Sequence, residues 1–311
     1  MKRIIITGGS GLVGSAIREI AYKYGRYNFI YVSSSEYDLT SMEETRAMFD
    51  KYLPNYVIHL AACVGGLFKN MDNKVRMFED NILINFNVVK CCHEYKVEKL
   101  VACLSTCIFP DKTTYPINET MLHDGPPHTS NDAYAYAKRM LHVQCKAYRD
   151  NYGDDFTCVI PTNVYGPNDN FSLTDGHVIP SLIHQCYIAK QSGIAFVVKG
   201  TGAPLRQFIY SCDLAELIMW TLQNYDDETI ILSVSESAEI SIADIAKLIA
   251  KHMDYRGLIL YDERFSDGQY KKTADNSIFI EKHGAYKFTD IGDGIEKTVK
   301  WFLMNYANSR K

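Results

Sequence analysis

An apolar run followed by three evenly spaced glycines opens this chain and sharply limits its possible folds. Arg3–Thr7 predicts a buried strand, Gly8, Gly11 and Gly14 follow, and a helical pattern runs from about residue 12 to 24. Between a strand and a helix, such glycines permit a tight turn and let backbone N–H groups approach a pyrophosphate. In this context a purely structural turn is the less favoured interpretation. The expected dinucleotide-binding residues here are Gly8, Gly9, Ser10, Gly11, Leu12, Val13 and Gly14.

Short apolar runs alternate with helical patterns through the rest of the first half. Strands are predicted over 29–33, 56–60, 100–104 and 156–160, and helices over 42–52, 72–95 and 133–150. This alternation predicts an α/β fold built on a Rossmann-type, doubly wound parallel sheet. Sheets of this kind bind ligands at the carboxyl ends of their strands.

The second half is less regular. Residues 163–176, rich in Gly, Pro, Asn and Asp, predict a loop, followed by a helix over 179–191, a strand over 196–199 and a turn over 200–204. Segments 207–210, 214–222 and 230–234 predict a return to the main sheet. We therefore expect a dinucleotide-binding domain over 1–165 plus about 207–236. A smaller, interrupted α/β domain over about 166–206 plus 237–311 would close over the substrate.

Charge and cysteine content limit the partners and the compartment. A net charge of −4 over 311 residues gives no reason to expect nucleic acid or an anionic membrane as partner. No apolar run approaches the length of a membrane span. The nine cysteines, an odd number scattered in apolar or helical stretches, indicate a reducing compartment rather than a disulfide framework. The first strand begins within a few residues, so we expect a cytoplasmic protein without a cleavable signal. No metal site is predicted.

Two polar groups of residues suggest the chemistry. Tyr134 and Lys138 are four residues apart in a predicted helix and therefore share one face. A nearby ammonium favours phenolate and would lower the tyrosine pKa from about 10 toward neutrality. Such a tyrosine exchanges a proton with an alcohol or ketone while a nicotinamide exchanges the hydride, and Ser105 is placed to hold the same oxygen. Cys107 is not needed for ketone reduction, so it indicates either a second reaction or simply a buried thiol.

The end of the second strand bears on the choice of cofactor. It reads Val32-Ser33-Ser34-Ser35, without an acid at the tip. An acid there favours the free ribose hydroxyl of NAD, so its absence favours NADP. Glu36 and Asp38 are close enough in sequence to keep NAD open.

Further segments carry a family resemblance over nearly the whole chain. They are Ala62-Cys-Val-Gly-Gly66, Leu104-Ser-Thr-Cys-Ile-Phe-Pro110, Asn131-Asp-Ala-Tyr-Ala-Tyr-Ala-Lys-Arg139, Ile160-Pro-Thr-Asn-Val-Tyr-Gly-Pro167, Asp175-Gly-His-Val178, Arg206-Gln-Phe208 and Ser266-Asp-Gly-Gln269. With them the chain resembles extended short-chain dehydrogenases/reductases acting on nucleotide sugars, and within these the 3,5-epimerase-4-reductases of GDP-4-keto-6-deoxy-D-mannose. The resemblance implies a homodimer, NADPH as reductant, GDP-L-fucose as product and a substrate supplied by a GDP-mannose 4,6-dehydratase.

The resemblance also implies roles for individual residues. Cys107 would be the base and His177 the acid that invert C3 and C5. Tyr134 and Ser105 would hold the C4 oxygen, while Lys138 supports Tyr134 and bonds the nicotinamide ribose. The further cofactor contacts implied are Asp38, Leu39, Ala61, Ala62, Pro161, Thr162, Asn163, Val164 and His177.

Five residues are implied as substrate contacts: Asn163, Gln185, Lys199, Arg206 and Asp267. Arg206 would pair with a diphosphate, and Asp267 with ribose or sugar hydroxyls. Lys199 stands where relatives often carry Trp, and Gln185 where they often carry Lys.

Two alternatives stay open at this point. One is a different nucleotide-sugar epimerase or reductase on the same scaffold, although a simple 4-epimerase has no need of a second acid–base pair such as Cys107 and His177. The other is a non-catalytic NADP-sensing protein, which has no need of Ser105, Tyr134 and Lys138 together.

Overall fold

Six parallel strands form the central sheet of the protein. The computed structural model describes residues 1–65, 73–265, 267 and 270–311. The strands are β1 (Lys2–Thr7), β2 (Tyr27–Val32), β3 (Tyr56–His59), β4 (Lys99–Cys103), β5 (Phe156–Pro161) and β10 (Thr229–Leu232), in the order β10-β5-β4-β3-β1-β2. All neighbours pair in parallel. The predicted doubly wound sheet is confirmed, and the strand order reverses at β1, where such sheets open a ligand crevice.

Helices cover both faces of this sheet. They are α1 (Leu12–Ile20), α2 (Met42–Tyr52), α3 (Lys74–Glu94), α4 (Asp132–Tyr152), α5 (Val178–Ser192), α6 (Ser211–Asn224), α7 (Ile242–His252), α8 (Ser277–His283) and α9 (Ile291–Asn305). Successive β1 side chains point to opposite faces, so Ile5 packs with α2, α3 and α4 while Ile4 and Ile6 pack with α1 and α6. Burial on both faces explains the unbroken isoleucine run.

The predicted helix boundaries hold with small differences. α1 ends at Ile20, and Ala21–Tyr24 continues it as a 3₁₀ turn rather than as α-helix. The predicted start of the third helix at Asp72 lies outside the described residues, and α3 is seen from Lys74.

Two predictions for the second half are wrong. The predicted loop over 163–176 begins with a strand, β6 (Asn163–Tyr165), which pairs with β9 (Phe208–Tyr210). Residues 207–210 therefore do not return to the main sheet, whereas β10 does. Pairing with a distant segment overrides the turn-forming composition of residues 163–176, which local sequence does not reveal.

A smaller lobe has its own core and short strand pairs. β7 (Phe196–Lys199) pairs in parallel with β12 (Ile259–Asp262), and β8 (Leu205–Arg206) pairs antiparallel with β11 (Ile240–Ser241). Side chains from α5, α7 and α9 pack together beneath these pairs. Phe279 of α8 instead packs in the core of the large sheet, so the tail contributes to both cores.

Two general features bear on the cellular setting. No helix among the described residues has both the length and the apolar character needed to cross a membrane. All nine cysteines are free thiols.

Candidate active site

The glycine turn after β1 is too tight for side chains at several positions. Gly8 has φ +69°, and a Cβ there would lie 3.0 Å from the Ala61 backbone nitrogen. A Cβ on Gly9 would lie 2.7 Å from Tyr31, and one on Gly14 would lie 2.6 Å from the Gly8 oxygen. Gly11 N donates to the Gly8 oxygen at 2.9 Å and closes the turn. The close packing that a dinucleotide-binding turn requires is therefore present.

A buried hydrogen-bond network joins the strands beneath this turn. The Thr7 hydroxyl accepts from the amides of Leu60 and Ala61, each at 3.2 Å, and lies 2.8 Å from His59 Nδ1. His59 Nε2 lies 3.0 Å from Asn85 Oδ1, an acceptor, so Nε2 carries the proton and Nδ1 accepts from Thr7. Burial lowers the pKa of His59 to about 3 and keeps the ring neutral. The network fixes the carboxyl ends of β1 and β3 against each other.

The tip of β2 differs from the sequence prediction. Glu36 Oε2 accepts from both the amide and the hydroxyl of Ser33, each at 2.9 Å, so a carboxylate does lie at the strand end. Glu36, which the sequence left open as an acid near this tip, thus reaches the strand end by folding back onto the amide and hydroxyl of Ser33. The Arg18 guanidinium lies 4.1 Å over the Tyr31 ring at the same edge.

Asp38 and Leu39, both predicted cofactor contacts, have local partners. The Asp38 carboxylate accepts from the amide and hydroxyl of Thr40, which lowers its pKa. Leu39 is buried, and its carbonyl accepts from Asn87 at 2.9 Å. These contacts account for both residues structurally, and their cofactor role stays a prediction.

Four predicted catalytic residues meet at the carboxyl end of β4. Cys107 lies within a 3₁₀ turn that follows the strand, and Ser105 immediately precedes that turn. The Cys107 amide donates to Ser105 Oγ at 3.4 Å. Lys138 on α4 is buried and donates to the Cys103 carbonyl at 2.8 Å. Its ammonium lies 6.0 Å from the centre of the Tyr134 ring.

The electrostatics of this cluster differ from the expectation. Burial, reinforced by the nearby thiol of Cys107, raises the pKa of Tyr134 well above its ordinary value, and burial lowers the pKa of Lys138. The predicted lowering of the tyrosine pKa is wrong in this structure, because burial raises that pKa and the Lys138 ammonium is bound to the Cys103 carbonyl. A neutral phenol is the form that donates a proton, which suits Tyr134 to the reduction of a ketone.

The structure adds a lysine that sequence reasoning missed. Burial raises the pKa of Cys107, and the Lys272 ammonium is the strongest of the groups that oppose this rise. Lys272 is half-buried, which lowers its own pKa, and it also interacts with Arg206. No periodic pattern marks Lys272, since a Lys-Lys pair in an irregular tail is typical of a solvated surface.

His177 lies on the other lobe, as the exposed N-cap residue of α5. Gly176 permits the sharp approach to this helix, because a Cβ there would lie 2.5 Å from the Ser172 oxygen. Asp169 is buried beneath, and its Oδ2 has no hydrogen-bond partner among the described residues. Burial raises the pKa of Asp169 to about 6, and His177 opposes that rise. The structure thus gives His177 a carboxylate neighbour, while its pairing with Cys107 stays a prediction.

The end of β5 supplies further predicted contacts. Pro161 and Thr162 are buried, and the Thr162 hydroxyl has no hydrogen-bond partner among the described residues. Asn163 is exposed and donates to the Gln207 carbonyl at 3.0 Å, and Val164 is half-buried beside it. An orphaned hydroxyl at a strand end, with the glycine turn across the sheet, fits a bound dinucleotide.

The predicted diphosphate residues lie in the smaller lobe. Arg206 on β8 is half-buried, which lowers its pKa, and it donates to the carbonyls of Leu205 and Tyr270 at 2.7 and 3.3 Å. Gln185 on α5 donates to Ser181 at 3.0 Å. Gln185 is neutral, so the cationic side chains on this side of Cys107 are Lys272 and Arg206.

The remaining substrate predictions lie beyond Arg206. Asp267 accepts from the amide and hydroxyl of Thr201 at 2.8 and 2.6 Å. The Lys199 ammonium lies 5.1 Å from the centre of the Phe265 ring. Of the Ser266–Gln269 motif only Asp267 is described, and Gly66 of the Ala62–Gly66 motif also lies outside the described residues.

Comparison with known proteins agrees with this geometry. A sequence profile of the NAD dependent epimerase/dehydratase family matches residues 4–233. The chain is 53% identical to a GDP-L-fucose synthase of Dictyostelium discoideum, covering 100% of this chain and 98% of that protein. It is 47% identical to a probable GDP-L-fucose synthase of Drosophila melanogaster, with both chains fully covered.

A solved structure gives the same result in three dimensions. The crystal structure of a GDP-L-fucose synthetase from Naegleria fowleri bound to NADP superposes with a TM-score of 0.96 at 47% identity, covering 100% of this chain and 95% of that one. The sequence profile, the full-length identities and this superposition place the chain in the NAD dependent epimerase/dehydratase family, within its group of GDP-L-fucose synthases.

Proposed function

We propose that the protein is a bifunctional NADPH-dependent enzyme that converts GDP-4-keto-6-deoxy-D-mannose to GDP-L-fucose by 3,5-epimerisation and 4-reduction. The observation that carries this proposal is the thiol of Cys107 beside Ser105, Tyr134 and Lys138. A reductase alone needs only the last three. The relatives' names and the NADP bound to the similar structure support the same assignment.

The cofactor site of this proposal runs along the carboxyl edge of the large sheet. The Gly8–Gly14 turn would hold the pyrophosphate, with Asp38, Leu39, Ala61 and Ala62 lining the next strands. Pro161, Thr162, Asn163, Val164 and His177 would surround the nicotinamide end, and Lys138 would bond its ribose. NADPH, when bound, supplies the hydride that reduces C4.

The epimerisation follows from carbon acidity. Protons on C3 and C5 are both α to the C4 ketone, so a base that removes one leaves an enediolate whose charge rests on the C4 oxygen. Cys107 would be this base, and its raised pKa makes the thiolate scarce but strongly basic. His177 would return a proton from the opposite face, with Asp169 beneath it as the balancing carboxylate.

The reduction uses the same oxygen-binding groups. Ser105 and Tyr134 would hold the enediolate oxygen by hydrogen bonds. After both centres are inverted, Tyr134 gives its proton to the C4 oxygen as the carbon is reduced. The proton on Tyr134 is secured by burial, which raises its pKa. One site therefore serves both reactions.

The rest of the substrate would lie across the smaller lobe. Arg206 and Lys272 would bind the diphosphate as paired cations. Asn163, Gln185, Lys199 and Asp267 would contact the sugar and nucleoside. We propose the domain division predicted from the sequence, residues 1–165 plus about 207–236 for the cofactor and about 166–206 plus 237–311 for the substrate. Two segments depart from it: β9 pairs with β6 rather than with the main sheet, and α8 packs through Phe279 on the core of the cofactor domain.

We further propose a homodimer that pairs through α3 and α4. Their exposed apolar side chains fall at helical spacing, which gives each helix an apolar stripe that the described residues leave exposed. They are Val75, Phe78, Leu83 and Phe86 on α3, and Tyr136, Met140 and Val143 on α4. A cytoplasmic location accords with the nine free thiols.

Product analysis tests the assignment. Incubation with NADPH and GDP-4-keto-6-deoxy-D-mannose should yield GDP-L-fucose, identified by NMR. An unepimerised GDP-6-deoxyhexose would instead favour a plain 4-reductase of the same family. Binding of NADP without turnover of this substrate would favour the sensing alternative.

A further inference from the structure

A row of charged groups leads from the reaction centre to the edge of the smaller lobe. The Lys272 ammonium lowers the pKa of the Cys107 thiol, and the like charge of Arg206 lowers the pKa of Lys272 in turn. The Arg206 guanidinium is held at this place by the carbonyls of Leu205 and Tyr270, at 2.7 and 3.3 Å. Arg206 interacts in turn with Asp267, which accepts from the Thr201 amide at 2.8 Å. The groups follow in the order Cys107 thiol, the cations of Lys272 and Arg206, and the Asp267 carboxylate. A nucleoside diphosphate sugar has matching parts in the order sugar, diphosphate, ribose, base.

The row ends at an exposed aromatic ring. Lys199, the last residue of β7, lies opposite Asp262 at the end of β12, and Phe265 follows three residues later. Phe265 is 39% exposed as a residue, and the Lys199 ammonium lies 5.1 Å from the centre of its ring. An exposed ring held by a cation presents a flat π surface at the place where the base would lie.

Gly200 lets the chain after β7 approach the chain after β12 closely. Gly200 has φ +86°, and a Cβ there would lie 2.3 Å from Asp267 Oδ1. The Thr201 hydroxyl donates to Asp267 Oδ2 at 2.6 Å as well. The Lys199–Thr201 strand end and residues 265 and 267 are thereby held together by backbone, side-chain and ring contacts.

We propose that Phe265, held by Lys199, is the surface on which the guanine ring of the substrate stacks. This inference rests on the proposed function and names the part of the site that recognises the base. In this arrangement the aromatic surface follows the end of β12 rather than lying at the end of β7, where Lys199 stands and relatives often carry Trp.

Ligand binding to Phe265→Ala and Phe265→Trp tests the proposal. Titration with GDP should give a Kd about 10-fold or more higher for Phe265→Ala, because loss of aromatic stacking costs on this order per base. Phe265→Trp should restore affinity, and its added indole emission should be quenched by GDP relative to wild type. The Kd for inorganic pyrophosphate and for NADPH should stay unchanged in both variants. Leu260→Ala, at a 48% exposed position of β12, is the matched control and should bind GDP like wild type.

The outcomes separate this inference from the proposed function. Equal GDP affinity in Phe265→Ala and wild type, or unquenched emission in Phe265→Trp, would overturn the stacking role while leaving the reaction intact. A wild-type protein that binds NADPH but not GDP would instead count against the proposed function itself.

Discussion

The sequence predicts the position of Tyr134 but not its pKa. The spacing to Lys138 predicts a shared helix face, and the structure has both residues there. The pKa of Tyr134 nevertheless rises, because burial depends on how α4 meets the ends of the strands. The residue is suited to donate a proton to a ketone, and Lys138 contributes by its position near the ring.

Glu36 gives a prediction for the cofactor at the scale of one side chain. NADPH should bind more tightly than NADH, as the NADP-bound relative suggests. Because the Glu36 carboxylate lies on Ser33 at the β2 tip, Glu36→Gln should remove repulsion toward a ribose phosphate. NADPH affinity should then rise by roughly 2- to 5-fold, which is the size of effect expected when one repulsion between exposed charges is removed, while NADH affinity should change little. Fluorescence titration measures both.

Glu43→Gln, at an exposed position on α2, is the control and should leave both affinities unchanged. Wild-type protein that binds NADH as tightly as NADPH would contradict the predicted preference for NADPH.

Elements of the large sheet follow from local patterns, whereas those of the smaller lobe do not. Ile4-Ile5-Ile6 is apolar throughout because β1 is buried on both faces, so its sequence alone predicts a central strand. β6 and β9 are three residues each and pair with each other across more than forty positions of sequence. Lys272 was missed for the same reason, since only the tertiary fold places it beside Cys107.

The strand-end network predicts a pH dependence of stability. The pKa of His59 is lowered by burial to about 3, below its unfolded value near 6.5. The neutral ring therefore stabilises the fold above pH 6.5, and this contribution is lost as the pH falls toward 3. The linkage amounts to about 1.4 kcal/mol per pH unit, or roughly 2 kcal/mol between pH 6.5 and 5.

Urea unfolding of wild type and His59→Gln at several pH values measures this contribution. The free energy of unfolding of wild type should exceed that of the variant by less at pH 5 than at pH 7. A difference that stays constant with pH would show that His59 does not carry it.

At the scale of the whole molecule, the proposed site draws residues from both lobes. In the proposed mechanism the large sheet and its helix α4 supply the cofactor edge and Tyr134, while Arg206, Lys272 and His177 come from segments outside the sheet. The order of predicted strands, helices and loops in the second half predicts this division. The contacts between the lobes depend on tertiary structure.

The proposed dimer makes a prediction about assembly. Light scattering coupled to gel filtration should give the mass of two 35.4 kDa chains for wild type. Met140→Glu places a charge in the apolar stripe of α4 and should shift the protein to monomer, because burying that charge in the interface is costly. Leu303→Glu, at a 43% exposed apolar position of α9, is the control and should remain dimeric. A monomeric wild type would refute the dimer without touching the chemistry.

The central claim is that one site performs epimerisation through Cys107 and reduction through Tyr134. Its most direct test is deuterium exchange into GDP-4-keto-6-deoxy-D-mannose in deuterated water, with NADP⁺ in place of NADPH, followed by NMR. Wild type should exchange C3 and C5 protons, and Cys107→Ala should exchange at least about 100-fold more slowly, as expected for loss of a catalytic base. Cys103→Ala, which removes the neighbouring thiol, should exchange normally.

Tyr134→Phe completes the measurement. It should keep measurable exchange, weakened by loss of one oxygen-binding donor, while its reduction with NADPH falls by roughly 10²- to 10⁴-fold. Exchange at the full wild-type rate in Cys107→Ala would contradict the account and leave the protein a simple reductase.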